Sequence, residues 1–217
     1  MGLKGWYMKN RDLKRRIIEI SYKHKLSHLG SCLTAVDIIN EIYAFKKPED
    51  KFILSSGHAG LALYVVIEKY EGIDAESIFK HHGVHPDKCD QCHIYCSTGS
   101  LGQGLPIAVG MALANINSNI YCLTSDGECA EGSIFEALNI MYDRKISNLK
   151  VIMNRNGWAA YRSTPIIGDA AFDYRGEHFL QILTDVDQLP FLRGQDAHYH
   201  VMNEGEYGQA MEILKWD

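Results

Sequence analysis

The sequence lacks several features that would each indicate a particular class of protein. It contains no apolar run near the roughly 18 residues that a transmembrane helix requires. With 22 Lys and Arg against 27 Asp and Glu, it also lacks the basic excess that nucleic-acid binding needs. The N-terminus is basic but has no apolar segment of the kind found in secretory signals. We therefore expect a cytoplasmic protein without a membrane or nucleic-acid partner.

The chain also lacks internal repeats, low-complexity linkers and the length for two ordinary domains. Residues 1–217 are therefore expected to form a single α/β domain. Six cysteines are present, and in a reducing compartment we expect core residues, metal ligands or reactive thiols in preference to disulfides. They are Cys32, Cys89, Cys92, Cys96, Cys122 and Cys129.

The clearest structural unit lies in the middle of the chain. IYCLTS (120–125) and LKVIMN (149–154) predict two buried strands, and IFEALNIMYDRK between them predicts an amphipathic helix. A strand, a helix and a strand within about 35 residues form a βαβ unit, in which the two strands run parallel. FILS (52–55) predicts a further buried strand, which a long apolar helix follows.

Other segments give weaker signals. Residues 9–25 predict an amphipathic helix, as does NEGEYGQAMEILK near the end. Thr34 is expected to be the N-cap of another helix, with Asp37 at the third helical position. Residues 77–97 are rich in His, Cys and Asp and predict an irregular loop.

Asp126 and Asn156 directly follow the two strands of the βαβ unit. Because ligands of parallel sheets bind beyond the carboxyl ends of the strands, we expect these side chains to lie side by side at a binding edge. Their oxygens suit a hard cation such as Mg²⁺. Gly127 allows close backbone approach, and a helix starting near Glu131 would direct its N-terminus toward phosphate. The pattern predicts a Mg²⁺ and diphosphate site, but SDGE and NRNG are equally consistent with ordinary turns.

Five motifs, in order along the chain, resemble the N-terminal, diphosphate-binding half of transketolase. They are LSHLG, DKFILSSGHAGLALY, HPD with STGSLGQGLPIAVGMALA, SDGECAEGSIFEA and NRNGW. SDG followed by the asparagine of NRNGW is similar to the thiamine diphosphate signature, and the resemblance runs from about residue 10 to 165. It implies a three-layer α/β fold, with a central, mostly parallel sheet and helices on both faces.

The resemblance implies a site for thiamine diphosphate and a metal ion. Mg²⁺, or in its place Ca²⁺ or Mn²⁺, would be held by Asp126, Asn156 and the main-chain carbonyl of Trp158. The other residues that would contact the cofactor are Gly99, Ser100, Leu101, Gly102 and Gly127, together with His58. Glu131 is similar to a glutamate at the subunit interface that links two cofactor sites, and we group it with the cofactor-binding residues.

The resemblance also implies catalytic roles for four histidines, in proton transfer and in hydrogen bonds to substrate hydroxyls. They are His28, His58, His85 and His198. His81 and His82 match no motif, and no functional role is predicted for them.

The C-terminal region, about 159–217, departs from the family. It is shorter than usual where the family adds a strand and a glycine-histidine-aspartate turn, and RGQDAHYH is expected to be a compressed remnant. The pyrimidine-binding domain, which in the family generates the reactive form of the cofactor, is expected to be absent from this chain. The resemblance therefore implies a split transketolase: a separate chain would supply that domain in an α₂β₂ assembly. The complex would pass a two-carbon ketol unit from a ketose phosphate to an aldose phosphate.

Other interpretations remain open. The chain could belong to another thiamine diphosphate-dependent carboligase, similar to deoxyxylulose-phosphate synthase or acting on another sugar, or it could be a non-catalytic interaction protein. The sequence disfavours a nucleotide-binding module, because GSLGQG is not followed by the Lys-Ser/Thr of a P-loop. Separately, Cys89, Cys92 and Cys96 suggest a zinc site with His85 or His93 as a further ligand, although no second CxxC lies at the usual separation.

Overall fold

The computed structural model describes residues 9–164 and 178–215, which build an α/β fold around a parallel sheet. Within these residues the strands are β1 (Lys51–Leu54), β2 (Ile120–Ser125), β3 (Leu149–Arg155) and β4 (Phe179–Leu183). They are hydrogen-bonded in the order in which they occur along the chain, and each neighbouring pair is parallel. The predicted parallel sheet is confirmed.

Helices make up most of the remaining regular structure. They are α1 (Arg11–His24), α2 (Leu29–Phe45), α3 (Gly60–Glu71), α4 (Ala75–His82), α5 (Gly104–Ala114), α6 (Gly132–Asp143), α7 (Asp196–Tyr199) and α8 (Glu204–Ile213). Short 3₁₀ turns follow β1 (Gly57–Ala59) and β2 (Asp126–Ala130). Among the described residues, no helix combines the length and the apolar character needed to cross a membrane.

The two faces of the sheet are covered by different helices. Phe52 and Leu54 of β1 lie in a core shared with α1, α2 and α3, whereas Ile53 between them lies in a core shared with α5 and α6. Successive strand residues point to opposite faces, so this alternation buries both sides of the sheet. Burial on both faces explains the nearly continuous apolar runs that predicted β2 and β3. The expected helices on both faces are confirmed.

The start of α2 differs from the prediction. The helix begins at Leu29, and Thr34 lies buried within it instead of capping it. The Thr34 hydroxyl accepts a hydrogen bond from the side-chain amide of Asn154 at 2.9 Å. Asp37 forms a buried ion pair with Lys14, with 2.8 Å between Oδ2 and Nζ. The N-cap prediction was wrong because both polar side chains serve contacts with distant elements, which a local pattern cannot reveal.

The predicted loop at residues 77–97 begins as helix. The Asp74 side chain caps α4 by accepting a hydrogen bond from the N–H of Ser77 at 2.7 Å. The helix continues to His82 and ends at Gly83, whose φ of 76° is readily adopted by glycine. The loop prediction therefore holds only for the residues that follow.

The C-terminal region contains both a further strand and a short helix. β4 pairs with β3 and extends the sheet, so a further strand is present in this region. α7, within RGQDAHYH, packs closely on α2: a Cβ added to Gly30 would lie 2.9 Å from the Cβ of Ala197. This approach brings His198 beside the start of α2. Residues 165–177 of this region lie outside the described residues.

Candidate active site

The candidate site lies at the carboxyl ends of β1, β2 and β3. Ser125, the last residue of β2, pairs with Asn154 in β3. Just after β1, the N–H of Ser55 donates to the carbonyl of Leu123 at 2.8 Å. The segments that leave the three strands therefore emerge side by side, at the edge where parallel sheets bind their ligands.

Asp126 is buried at this edge, with 7% of its surface exposed, and donors surround its carboxylate. Oδ1 accepts from the N–H of Gly127 at 3.1 Å. Oδ2 accepts from the N–H of Gly157 at 2.8 Å and from the hydroxyl of Thr164 at 2.7 Å. Burial raises the pKa of Asp126, and these hydrogen bonds partly oppose the rise. The contact with Gly157 brings the segment after β3 against Asp126, as neighbouring parallel strands require.

Asn156 and Trp158 lie in the hairpin that follows β3. The Oδ1 atom of Asn156 accepts a hydrogen bond from the N–H of Trp158 at 3.0 Å, and Trp158 pairs with Ser163 across the hairpin. The carbonyl oxygen of Trp158 lies 3.8 Å from the point that a Cβ on Gly127 would occupy. With the Asp126 carboxylate, these groups offer carboxylate, amide and carbonyl oxygens. That donor set fits a hard cation such as Mg²⁺ or Ca²⁺.

Glu128 is fully buried and was missed by the sequence reasoning. Its Oε1 atom accepts from the hydroxyl of Ser55 at 2.6 Å and from the N–H of Gly102 at 3.0 Å, and its Oε2 atom accepts from the N–H of Ser125 at 2.9 Å. It therefore fastens the ends of β1 and β2 to the glycine-rich loop. Burial raises its pKa, and these hydrogen bonds act in the opposite direction. The spacing of Ser125 and Glu128, which is that of a capping box, could have identified it.

The glycine-rich loop STGSLGQG packs its main chain tightly against this edge. Gly102 has a φ of 79°, and a Cβ there would lie 2.6 Å from the Cβ of Glu131. Gly99 has a φ of 148°, and a Cβ there would lie 2.9 Å from the ring of His85. Any side chain at either position would clash, so only glycine permits this approach.

The other residues predicted to contact the cofactor lie around this loop. Ser100 is exposed and Leu101 is half-buried, and both lie between Gly99 and Gly102. Glu131 is exposed and precedes Gly132, the first residue of α6, so the helix starts where the sequence indicated.

The four predicted histidines form one group, which we call the histidine cluster (His28, His58, His85 and His198). The ring centroid of His28 lies 4.4 Å from that of His198 and 5.5 Å from that of His58. The His85 ring is 6.5 Å from His28, and His58 is 5.2 Å from His198. The N–H of His28 also donates to the carbonyl of His198 at 2.8 Å. The structure thus gathers histidines from four separate segments at the edge where Asp126 lies.

Burial controls the protonation of two histidines in this cluster. Together with a smaller effect of the neighbouring histidines, it lowers the pKa of His28 to about 4 and that of His58 to about 3. At neutral pH both rings are therefore uncharged, with one nitrogen that donates and one that accepts. Among residues 9–164 and 178–215, the buried Nδ1 atom of His28 has no hydrogen-bond partner. A buried ring nitrogen without a partner is typical of a site that receives a ligand.

The structure brings together only two of the three cysteines that suggested a zinc site. In the described part of the chain, the group with metal-ligand geometry is His82, Cys89 and Cys92, whose ligand atoms all lie within 4.8 Å of one another. Cys96 instead packs against the core shared with α5 and α6. The sequence pattern failed here because His82 reaches the cysteines only through the fold of the loop. The predicted ligands that lie outside the group are Cys96, His85 and His93.

Comparison with known proteins places the chain in a family. The family model of 1-deoxy-D-xylulose-5-phosphate synthase, in its N-terminal part, matches residues 8–177. The chain is 34% identical over 166 residues to one subunit of the apulose-4-phosphate transketolase of Phocaeicola vulgatus, covering 66% of this chain and 58% of that protein. It is 32% identical over 165 residues to the 6-deoxy-6-sulfo-D-fructose transketolase subunit SqwG of Clostridium sp. (strain MSTE9), covering 66% and 60%. For the human transketolase the identity is 33% over 150 residues, covering 59% of this chain and 24% of that protein.

Solved structures show the same fold. The transketolase of Leishmania mexicana superposes with a TM-score of 0.74 at 18% identity, covering 99% of this chain and 41% of that chain. A transketolase of Pichia stipitis in complex with sedoheptulose 7-phosphate gives 0.75 at 19% identity, covering 96% and 40%. The chain thus spans between a quarter and three fifths of the length of these relatives. It belongs to the thiamine diphosphate-dependent family of 1-deoxy-D-xylulose-5-phosphate synthase and transketolase, and corresponds to the N-terminal domain of those enzymes.

Proposed function

We propose that this chain is the diphosphate-binding subunit of a two-chain transketolase. It would bind Mg²⁺ and thiamine diphosphate and, with a partner chain, transfer a two-carbon ketol unit from a ketose phosphate to an aldose phosphate. When bound, thiamine diphosphate supplies the carbanion and the electron sink for this chemistry. The observation that carries the proposal is the convergence of a hard-cation donor set, a fixed glycine loop and four histidines at one edge of the sheet.

The carboxyl end of β2 is suited to a metal-bound diphosphate. Asp126, Asn156 and the carbonyl of Trp158 would hold the Mg²⁺. A Cβ on Gly127 would lie 3.3 Å from Ala159, so glycine allows the backbone to lie close to the hairpin. The N-terminus of α6 lies close by and favours negative charge. Glu131, exposed at the start of this helix, is available for contact with another chain.

The histidine cluster is suited to a sugar with several hydroxyl groups. The neutral His28 and His58 rings can each accept a proton from a hydroxyl and return it, which a protonated ring could not do. His85 lies against Gly99 of the glycine loop and would connect the cofactor to the substrate. His198 would complete the wall of the site from α7.

An apolar surface on α5 and α6 supports a partner chain. α5 carries apolar side chains on every side, which is typical of a buried helix, yet part of it is exposed. The large exposed apolar residues of the two helices are Ile107, Leu113, Ile140 and Tyr142. Two of the relatives are named as subunits of transketolases. We assign this face to the partner that carries the pyrimidine-binding domain, in an α₂β₂ complex.

A second candidate follows from the family model, which is that of 1-deoxy-D-xylulose-5-phosphate synthase. The product in that name is a 1-deoxy ketose, whose first two carbons form an acetyl unit, whereas a ketol unit retains its hydroxyl. A donor screen therefore separates the two candidates. Ketose phosphates would be consumed in the first case and an acetyl donor, such as an α-keto acid, in the second.

Reconstitution tests the proposed function. The chain is purified alone and together with a partner that contains the pyrimidine-binding domain. Cofactor binding is measured by calorimetry and ketol transfer by product analysis. We expect weak thiamine diphosphate binding and no transfer for the chain alone, and tight Mg²⁺-dependent binding with transfer for the complex. Full activity of the chain alone would refute the two-chain assignment, and a complex that binds cofactor without any turnover would indicate a non-catalytic role.

A further inference from the structure

A group of potential metal ligands lies outside the residues assigned to the cofactor. His82 is the last residue of α4, and Cys89 and Cys92 follow in the loop that leads to the glycine-rich segment. A ring nitrogen of His82 and the two sulfur atoms all lie within 4.8 Å of one another. We call these three residues the His–Cys group.

The backbone of the loop holds the two cysteines in place. Cys89 and Ile94 form an antiparallel bridge, with N–H to carbonyl distances of 2.8 and 2.9 Å. The N–H of Cys92 donates to the Sγ atom of Cys89 at 3.3 Å. His93, directly after, turns the chain with a φ of 56°. These contacts hold the sulfur atoms of Cys89 and Cys92 within 4.8 Å of each other.

His82 supplies a second, independent observation. Within residues 9–164 and 178–215, its buried Nε2 atom has no hydrogen-bond partner. A buried polar atom without a partner destabilises the fold, so such atoms are uncommon and require an explanation. A metal ion coordinated through Nε2 would satisfy this atom.

We propose that His82, Cys89 and Cys92 bind one Zn²⁺ ion. Two thiolates and an imidazole are soft and borderline ligands that favour Zn²⁺ over Mg²⁺ or Ca²⁺, and CxxC is the usual spacing of a zinc half-site. Three protein ligands leave the fourth corner of the tetrahedron to a water molecule. This site is separate from the Asp126 site, whose oxygen ligands suit a hard cation.

The position of the ion defines its role. It would join the end of α4 to the loop between His85 and the glycine-rich segment. His85 lies within that closed loop, and its ring packs where a Cβ on Gly99 would be. The zinc ion would therefore brace the segment that carries His85, without itself contacting the sugar or the cofactor. The proposal holds whichever carbon unit the enzyme transfers.

Zinc binding to the full chain tests the proposal. The protein is purified under reducing conditions without added zinc, and its zinc content is measured by elemental analysis. Affinity for Zn²⁺ is measured by competition with a fluorescent indicator. We expect about one equivalent per chain, together with an increase in Tm when Zn²⁺ is added to chelator-treated protein. Co²⁺ added in place of Zn²⁺ should give the intense charge-transfer absorption of a cobalt–thiolate site.

Matched variants distinguish the His–Cys group from its neighbours. Loss of a residue that only supports a metal ligand lowers metal affinity about 10–100-fold. Loss of a ligand itself should lower the affinity for Zn²⁺ at least about 100-fold, and we expect this for His82→Ala, Cys89→Ser and Cys92→Ser. Cys96→Ser and His93→Gln change the same residue types in the same loop and should leave the affinity within about twofold. The Co²⁺ spectrum of the unmodified chain decides the question even if a variant fails to fold.

Three results would overturn the proposal. The first is less than about 0.1 equivalent of zinc with no high-affinity binding in the reduced chain. The second is a loss of affinity in Cys96→Ser equal to that in Cys89→Ser. The third is a disulfide between Cys89 and Cys92 under the reducing conditions of the assay, which mass spectrometry would detect as the loss of two hydrogens.

Discussion

Two regions at the same edge of the sheet differ in how their polar atoms are paired. In the strand-end corner, by which we mean Asp126, Glu128 and Thr164, the Asp126 carboxylate accepts three hydrogen bonds and the Glu128 carboxylate four. In the histidine cluster, the Nδ1 atom of His28 has no partner in the described part of the chain. The Nδ1 atom of His198 has a long contact of 3.5 Å with the hydroxyl of Ser31.

This difference separates two tasks. The corner is internally satisfied, so its geometry is set before any ligand arrives, and it can hold a metal-bound diphosphate without rearrangement. The histidine cluster leaves one buried polar atom, the Nδ1 of His28, unpaired among the described residues, so a ligand that supplies hydroxyl groups would be stabilised there. The comparison indicates that the corner provides rigidity and that the cluster provides the groups that act on the sugar.

The largest expected effect concerns the charge at the corner. Asp126→Ala removes the anionic ligand proposed for Mg²⁺ and should lower Mg²⁺-dependent thiamine diphosphate binding at least about 100-fold, or about 2.7 kcal/mol. The measurement is a calorimetric titration of the reconstituted complex. Asp126→Asn, which retains an oxygen acceptor, checks that the loss follows the charge. Asp143→Ala, on the exposed end of α6, is the control. Unchanged cofactor binding in Asp126→Ala would remove the metal assignment.

The next effect concerns the hydrogen bonds that Glu128 accepts in the corner. Glu128→Gln preserves the shape of the side chain but places an N–H₂ group where the carboxylate accepts hydrogen bonds from Ser55, Gly102 and Ser125. Because at least one buried donor would then lack an acceptor, we expect the free energy of unfolding to fall by about 2 kcal/mol. Urea denaturation measures it. The exposed Glu136→Gln on α6 should change it by less than about 0.5 kcal/mol. Equal effects in the two variants would show that Glu128 does not fasten the corner.

A smaller effect should come from the histidine cluster, as a dependence of the free energy of unfolding on pH. The pKa of His58 is lowered to about 3 in the fold, below its unfolded value of about 6.5. As the pH falls, the unfolded chain binds the proton before the folded chain does. The contribution of the uncharged ring to the free energy of unfolding is therefore fully present above about pH 6.5 and is lost as the pH falls toward 3. Between about pH 6.5 and 5.5 this loss amounts to about 1 kcal/mol.

His58→Gln should remove that contribution, so the free energy of unfolding of the variant should decline less steeply with acid than that of the parent chain. Denaturation curves at a series of pH values measure the slopes. The control is His81→Gln, which removes an exposed imidazole and is measured over the same pH series. Identical slopes for His58→Gln and the parent chain would mean that the ring is not held uncharged by burial.

The two regions also differ in how well the sequence predicts them. β2 matches its predicted range residue by residue, because burial on both faces leaves a continuous apolar run. Parallel pairing of β2 and β3 then dictates that Asp126 and the segment after Asn154 meet, as the contact with Gly157 shows. These features follow from local pattern and from one topological rule. The histidine cluster was predicted only through resemblance to a family, since its members come from four distant segments.

The sequence does not reveal which polar residues are buried. Three acidic residues lie within SDGECAEGS. The capping-box spacing with Ser125 marks Glu128 as a partner of the backbone, but it does not reveal that Glu128 is enclosed while Glu131 is exposed. His82 likewise resembles any surface histidine until the loop folds back and brings Cys89 and Cys92 to it. Long-range contacts of this kind use residues whose local surroundings are ordinary, so an interpretation based on periodicity and spacing passes over them.

A last effect, similar in size to that of His58, concerns the hydrogen bond between Thr164 and Asp126. Thr164→Val removes one of the three donors to Asp126 and keeps the side-chain shape, while the N–H groups of Gly127 and Gly157 remain. Because the carboxylate stays mostly satisfied, we expect thiamine diphosphate affinity in the reconstituted complex to fall only about fivefold, or about 1 kcal/mol. Thr164→Ser retains the hydroxyl and should restore most of the affinity. A loss in Thr164→Val as large as that in Asp126→Ala would mean that the corner depends on a single hydrogen bond. The geometry of the corner would then not be set before a ligand binds.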